Sequence, residues 1–135
     1  MTRLVLDANI VVSGLAFPTG SPGRLVLGAR AGMIDVITCP WLIAEARRGL
    51  DKPYLRARAP LARAALRGFA EIAVELPDPA SPEPLLRDPR DDYLVALARA
   101  ARAAAIVSGD RDLLDHAGLS PPAIDARAAC ALVGC

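Results

Sequence analysis

Leu4-Val5-Leu6-Asp7-Ala8-Asn9, near one end of the chain, and Ala105-Ile106-Val107-Ser108-Gly109-Asp110-Arg111-Asp112, near the other, share one design. In each, an apolar run long enough for a buried strand stops at or just before an aspartate, which stands a carboxylate at the strand's carboxyl end. Open α/β sheets place their active sites at that edge. An acidic, metal-binding site is the first idea these two stretches raise.

Working outward, the first strand covers about Arg3–Leu6, and Gly14–Gly23, with Pro18, Gly20 and Pro22, reads mostly as loop. Ser21 and Pro22 fit an N-cap and first helical residue, opening a helix that runs to about Ala31 and ends at Gly32. Asp35–Thr38 is a second strand. Pro40 opens a further helix through Trp41, Leu42, Glu45 and Arg48 to about Leu50, where Lys52-Pro53 breaks it. The region from Pro53 to Ala70 reads as two helices because Pro60 interrupts it. Glu71–Leu76 alternates as a third strand, and the proline-rich Pro77–Pro84 is the flexible connection. Asp88-Pro89 starts a helix through about Ala103, followed by a strand at Ala105–Ser108. A helical turn then runs from Asp110 to about Ala117, Pro122–Ile124 forms a last short strand, and residues 125–133 form a terminal helix. Strands alternating with helices predict a three-layer α/β/α sandwich with a mostly parallel sheet, as a single domain over residues 1–135.

Composition narrows the function. The chain is 53% hydrophobic but only 4% aromatic, so a closely packed, alanine-rich helical core is expected. No stretch approaches ~20 uninterrupted apolar residues, and the first residues lack the features of a secretory leader, so a cytoplasmic protein without a membrane span is expected. Cys39, Cys130 and Cys135 form no C-x-x-C pair and are expected to be reduced. His116 is the sole histidine, which excludes mechanisms that need two imidazoles and leaves acid, base and ligand chemistry to carboxylates. Net charge is only +1, yet residues 41–70 carry seven basic against two acidic side chains and residues 71–95 the reverse. Such a division suits a polyanion-binding enzyme with a cation-filled site, and equally a solvated arginine-rich helix pair.

Four carboxylates stand out: Asp7, Glu45, Asp92 and Asp110. Asp7 or Asp110 alone is explained as a turn former. Two of them, on strands whose ends a parallel sheet brings together, point to a site. Glu45 lies one turn after Trp41 and Leu42 on an apolar helix face, where an unpartnered carboxylate is costly; a weak pair with Arg48 is the alternative. In Asp88-Pro89-Arg90-Asp91-Asp92, capping and the helix dipole account for Asp88 and Asp91. Asp92 leads directly into Tyr93-Leu94-Val95-Ala96-Leu97-Ala98 and is the better ligand candidate, with Asp91 as a supporting group. Asp112 is a fifth candidate or a cap, while Asn9 and Ser13 are polar neighbours able to orient a carboxylate or phosphate. Clustered carboxylates raise one another's pKa unless a cation neutralises them. Oxygen-only ligands select Mg²⁺ or Mn²⁺, ions that activate water for phosphodiester hydrolysis.

The order of these motifs resembles a PIN domain: Asp7-Ala8-Asn9 after the first strand, helical Glu45, Asp92 through Ala98, then Val107-Ser108-Gly109-Asp110-Arg111-Asp112-Leu113-Leu114. The resemblance spans essentially the whole chain, and is to the VapC-like toxins of bacterial toxin–antitoxin systems in particular. It implies a metal-dependent endoribonuclease for single-stranded RNA, leaving 5′-phosphate and 3′-hydroxyl ends. Asp7, Glu45, Asp92 and Asp110 would bind Mg²⁺ or Mn²⁺, with Asp112 a weaker fifth. By the same analogy a cognate antitoxin and a homodimer are expected. Pro77–Pro84 is richer in proline than the family pattern requires. Two other readings stay open: an RNA-processing PIN nuclease without antitoxin, and a non-catalytic PIN-like binding module. A phosphoacceptor receiver fits poorly, since the sole lysine, Lys52, lies among the basic helices.

Overall fold

The short aliphatic runs form the middle of a sheet in the computed structural model, which describes Met1–Cys135. Strand β1 (Arg3–Leu6) pairs in parallel with β2 (Asp35–Thr38), Leu4 opposite Val36 and Val5 opposite Ile37. On its other side β1 pairs with β4 (Ala105–Val107), Leu6 opposite Val107. β3 (Val74–Glu75) adds beside β2 and β5 (Ala123–Ile124) beside β4, so the order is β3-β2-β1-β4-β5 and every pairing is parallel. Leu4, Val5, Leu6, Ile106 and Val107 are wholly buried, as strands covered on both faces require.

Helices α1 (Ala8–Ala16), α2 (Ser21–Arg30), α3 (Pro40–Gly49) and α4 (Ala59–Ile72) carry the chain from β1 to β3. Helix α5 (Asp92–Ala100) returns it past β1 to β4, with α6 (Arg111–Leu114) and α7 (Ala126–Val133) flanking β5. α1 touches α2, α3 and α4, α7 lies on α2, and α5 lies against β1, β2 and β4. Right-handed crossovers put the outward-going helices on one face and α5 on the other. The winding direction reverses between β1 and β4, so the ends of these two neighbours open a crevice at the topological switch point.

The α/β/α expectation therefore holds, with a sheet that is entirely parallel. Three local expectations change. Residues 8–16 are helical despite the β-branched run Ile10-Val11-Val12, so the loop after them shrinks to residues 17–20. Gly14 belongs inside that helix: a Cβ there would meet the Pro22 carbonyl oxygen at 2.7 Å, and one at Gly23 would run into the Pro18 backbone. Gly14 thus serves the close approach of α1 and α2, and Gly23 the packing of the intervening loop onto α2. Helix α4 runs on through Ile72 because Leu66 and Phe69 keep its buried face in phase, which leaves only Val74–Glu75 as strand. Finally, Cys130 and Cys135 are joined in a disulfide and only Cys39 is free. The chain reverses at Gly134, whose φ of 84° lies in the left-handed region, and brings Cys135 back onto the end of α7. No single helix is long and apolar enough to cross a membrane.

Candidate active site

The ladder between β1 and β4 extends one residue past the strand, because the Asp7 N–H donates to the Val107 carbonyl at 2.9 Å. Asp7 is thereby fixed beside Ser108, and both are buried, at 8% and 0% exposure. Asp7 occupies the N-cap position of α1, yet its side chain makes no capping hydrogen bond of normal geometry. It instead accepts a hydrogen bond from the Ser108 hydroxyl at 2.8 Å, and the same hydroxyl accepts one from the Asp110 N–H at 3.0 Å. One buried serine therefore ties together the two strand-end aspartates. Asp110 in turn caps α6 by accepting the Asp112 N–H at 2.9 Å.

Glu45 approaches from α3 and Asp91 from the turn of 3-10 helix (Pro89–Asp91) that precedes α5. Burial raises the Asp91 carboxyl to about 6, with the charges of Asp7, Asp88, Asp110 and Glu45 adding to the effect. Burial also holds Asp7 above the ordinary carboxylate range, and the Asp110 charge adds to it, against the pull of the Ser108 hydroxyl and the Ala8 and Asn9 amides. Glu45 is raised by burial and by the Asp7 charge, while Tyr93, Arg48 and Arg90 act in the opposite direction. The Tyr93 hydroxyl lies toward Glu45 without closing a hydrogen bond of normal geometry, so it is a buried polar atom with no partner. Asp7, Glu45, Asp91 and Asp110 thus form one mutually repelling group at the switch point.

The sequence expectation named Asp92 for the position that Asp91 takes. Asp92 is 4% exposed, and its Oδ1 accepts the N–H groups of Leu85 at 3.1 Å and Leu86 at 2.8 Å. Its charge is spent on anchoring the end of the proline-rich connection, which His116 Nε2 also meets at the Leu85 carbonyl, 3.1 Å away. Asp88 caps the 3-10 turn as expected, accepting the Arg90 N–H at 2.9 Å and pairing with the Arg90 guanidinium. Asp91 is left free of capping. The Asp112 carboxylate faces Arg87 at 3.7 Å, so its backbone, not its side chain, serves Asp110. Asn9 is exposed and Ser13 half-buried, and neither side chain bonds to the acids. Ser108, absent from the sequence expectation, was signalled only by being polar at the last position of a buried run.

Two of the seven cations of the basic block are used elsewhere: Arg58 donates to the Ala16 carbonyl and lies over the Phe17 ring, and Arg63 pairs with Asp51. Arg48 and Arg90 are the cations that Glu45 feels. A groove of about 450 Å³ between α1, α2 and α4, with Leu27 and Leu61 on its walls, contains none of the acids, so cavity size does not locate the site.

No three of these side chains, as placed, converge into a closed ligand sphere. Their donor chemistry nevertheless fits a hard divalent cation: every donor is a carboxylate oxygen, and a cation would offset both the burial that raises Asp91 and the like charges that add to it. Residues 3–112 match the family model described as PIN domain. No curated protein matches the chain.

Proposed function

The chain belongs to the PIN-domain family, which is of nuclease type, and we propose that it is a metal-dependent endoribonuclease hydrolysing phosphodiester bonds of single-stranded RNA. The observation that carries this reading is Asp91, a partly buried carboxyl raised to about 6 beside Asp7, Glu45 and Asp110 at the switch point of the sheet. Acids that destabilise one another in this way are a cost to the fold, and a catalytic cation gives them a use.

Asp7, Asp91, Asp110 and Glu45 are the residues that would hold Mg²⁺ or Mn²⁺. A cation bound there supplies Lewis acidity toward the phosphodiester and a water of lowered pKa. Ser108 holds the Asp7 carboxylate and the Asp110 backbone in register. Glu45, held above the ordinary glutamate range, exchanges its proton nearer to neutrality than a free side chain. Asp92 acts through the backbone, fixing the entry to α5 from which Asp91 projects.

The test is Mn²⁺-dependent cleavage of single-stranded RNA by the wild-type protein and by Asp7→Asn. We expect cleavage to fall roughly 100-fold or more in the variant while the far-ultraviolet spectrum is unchanged. Undiminished cleavage would overturn the reading. The narrower role, a toxin held by an antitoxin, rests on the resemblance to VapC-like proteins. It predicts growth arrest on expression, relieved by Asp7→Asn and by co-expression of a small neighbouring reading frame.

A further inference from the structure

Trp41 is the sole tryptophan of the chain and is 48% exposed. It follows Pro40 in the first turn of α3, four residues before Glu45. Side chains four apart on a helix are neighbours, with Cβ atoms ~5–6 Å apart, so the indole borders the acidic group. Two contacts hold it. Its N–H of the main chain donates to Asp78 Oδ1 at 2.8 Å, and its ring meets Tyr93 edge-to-face, with centroids 6.0 Å apart and planes at 88°. Such a contact engages at most one face of the indole, and much of the ring remains open to water. Leu27, Leu61 and Tyr54, also large, apolar and exposed, belong to α2, α4 and the 3-10 turn at Pro53–Leu55. Only Trp41 stands one helical turn from a carboxylate of the site.

A pocket of carboxylates repels a polyanion, so a nucleic acid strand reaching it needs attraction that does not depend on its phosphates. A base stacked on an exposed indole supplies that, and tolerates any sequence because every base has a π face. We propose that Trp41 is a stacking platform for a base of a single-stranded nucleic acid whose phosphodiester lies at the Asp7–Glu45–Asp91–Asp110 group. Arg48 and Arg90, beside Glu45, flank the strand's path with positive charge. The proposal rests on the nuclease reading above and adds the residue that holds the substrate next to the reacting bond.

Because Trp41 is the only tryptophan, its fluorescence reports the contact directly. A short oligoadenylate titrated into the wild-type protein, with EDTA and again with Mn²⁺, should quench it saturably. An abasic phosphodiester oligomer of the same length should not. Trp41→Leu, which keeps apolar bulk against Tyr93, should raise KM for single-stranded RNA about 5- to 100-fold with kcat changed no more than about twofold. Trp41→Phe should recover most of the loss, and thermal melting of both variants separates binding from folding. If wild-type protein cleaves RNA but its fluorescence is not quenched under either condition, or is quenched equally by the abasic oligomer, the platform is refuted and the nuclease reading stands. A Trp41→Leu protein with normal KM has the same consequence. Wild-type protein that neither cleaves nor binds RNA overturns both.

Discussion

Replacing Asp91 by asparagine should stabilise the metal-free protein while removing its activity. The folded Asp91 carboxyl is raised from 3.8 to about 6, so the folded chain binds that proton more tightly than the unfolded chain does. Its contribution favours folding below about pH 4 and is lost as pH rises toward and through 6. A full shift of this size corresponds to about 3 kcal/mol, but the group is only partly buried and solvent screening reduces it to ~1–2 kcal/mol. Asp91 makes no capping hydrogen bond, so asparagine removes the cost of a half-buried charge, and the like charges around it, without removing a contact. Urea denaturation in EDTA should therefore show the Asp91→Asn midpoint higher than wild type by roughly 0.5–1 M at pH 7.5, and coincident with it near pH 4. Metal-dependent cleavage should fall roughly 100-fold or more. A variant that is less stable at pH 7.5, equally shifted at both pH values, or fully active would refute the placement of Asp91 among repelling acids.

Asp92→Ala should behave in the opposite way, costing roughly 1–3 kcal/mol because two partly buried amides lose a charged acceptor; equal denaturation midpoints for variant and wild type would contradict the anchoring role. Mn²⁺ should raise the wild-type melting temperature, by about 2.7 kcal/mol of stability at a hundredfold excess over Kd. Asp7→Asn should abolish that rise, and a variant stabilised as much as wild type would show that the ion binds elsewhere. Ser108→Ala removes the hydroxyl that lowers the Asp7 pKa, so the acid limb of the pH–rate profile should move to higher pH. Loss of rate with an unmoved limb would mean that Ser108 only packs.

The sheet was readable because its strands are short aliphatic runs ending at polar or turn-forming residues, and Arg3–Leu6 and Asp35–Thr38 fall where that pattern puts them. Helix α1 was not, because its signals are tertiary. Ile10, Val11 and Val12 are buried on a helix packed among α2, α3 and α4, and its Gly14 answers to a neighbouring helix rather than to a local turn. The end of α4 failed for a related reason. Ile72 and Val74 alternate like a strand over a few residues, while the helical period set by Leu66 and Phe69 extends further back along the chain. A longer window outweighs the shorter one.

That carboxylates gather at the switch point was legible, but not which of two adjacent aspartates joins them. Adjacent residues on a helix point about 100° apart, so an error of one residue exchanges a carboxylate facing the crevice for one facing the core. The apolar context of Asp92 correctly signalled burial. What it could not signal was that two amides arriving from Leu85 and Leu86 satisfy the buried charge, so that no cation is needed there. Asp88 caps through the Arg90 amide as the sequence led one to expect, and the helix dipole was the reason to set Asp91 aside. A favourable dipole is not a hydrogen bond, and Asp91 has no local partner. A half-buried carboxylate without one, facing Asp7, Asp110 and Glu45, is the residue of this pair that a cation would serve.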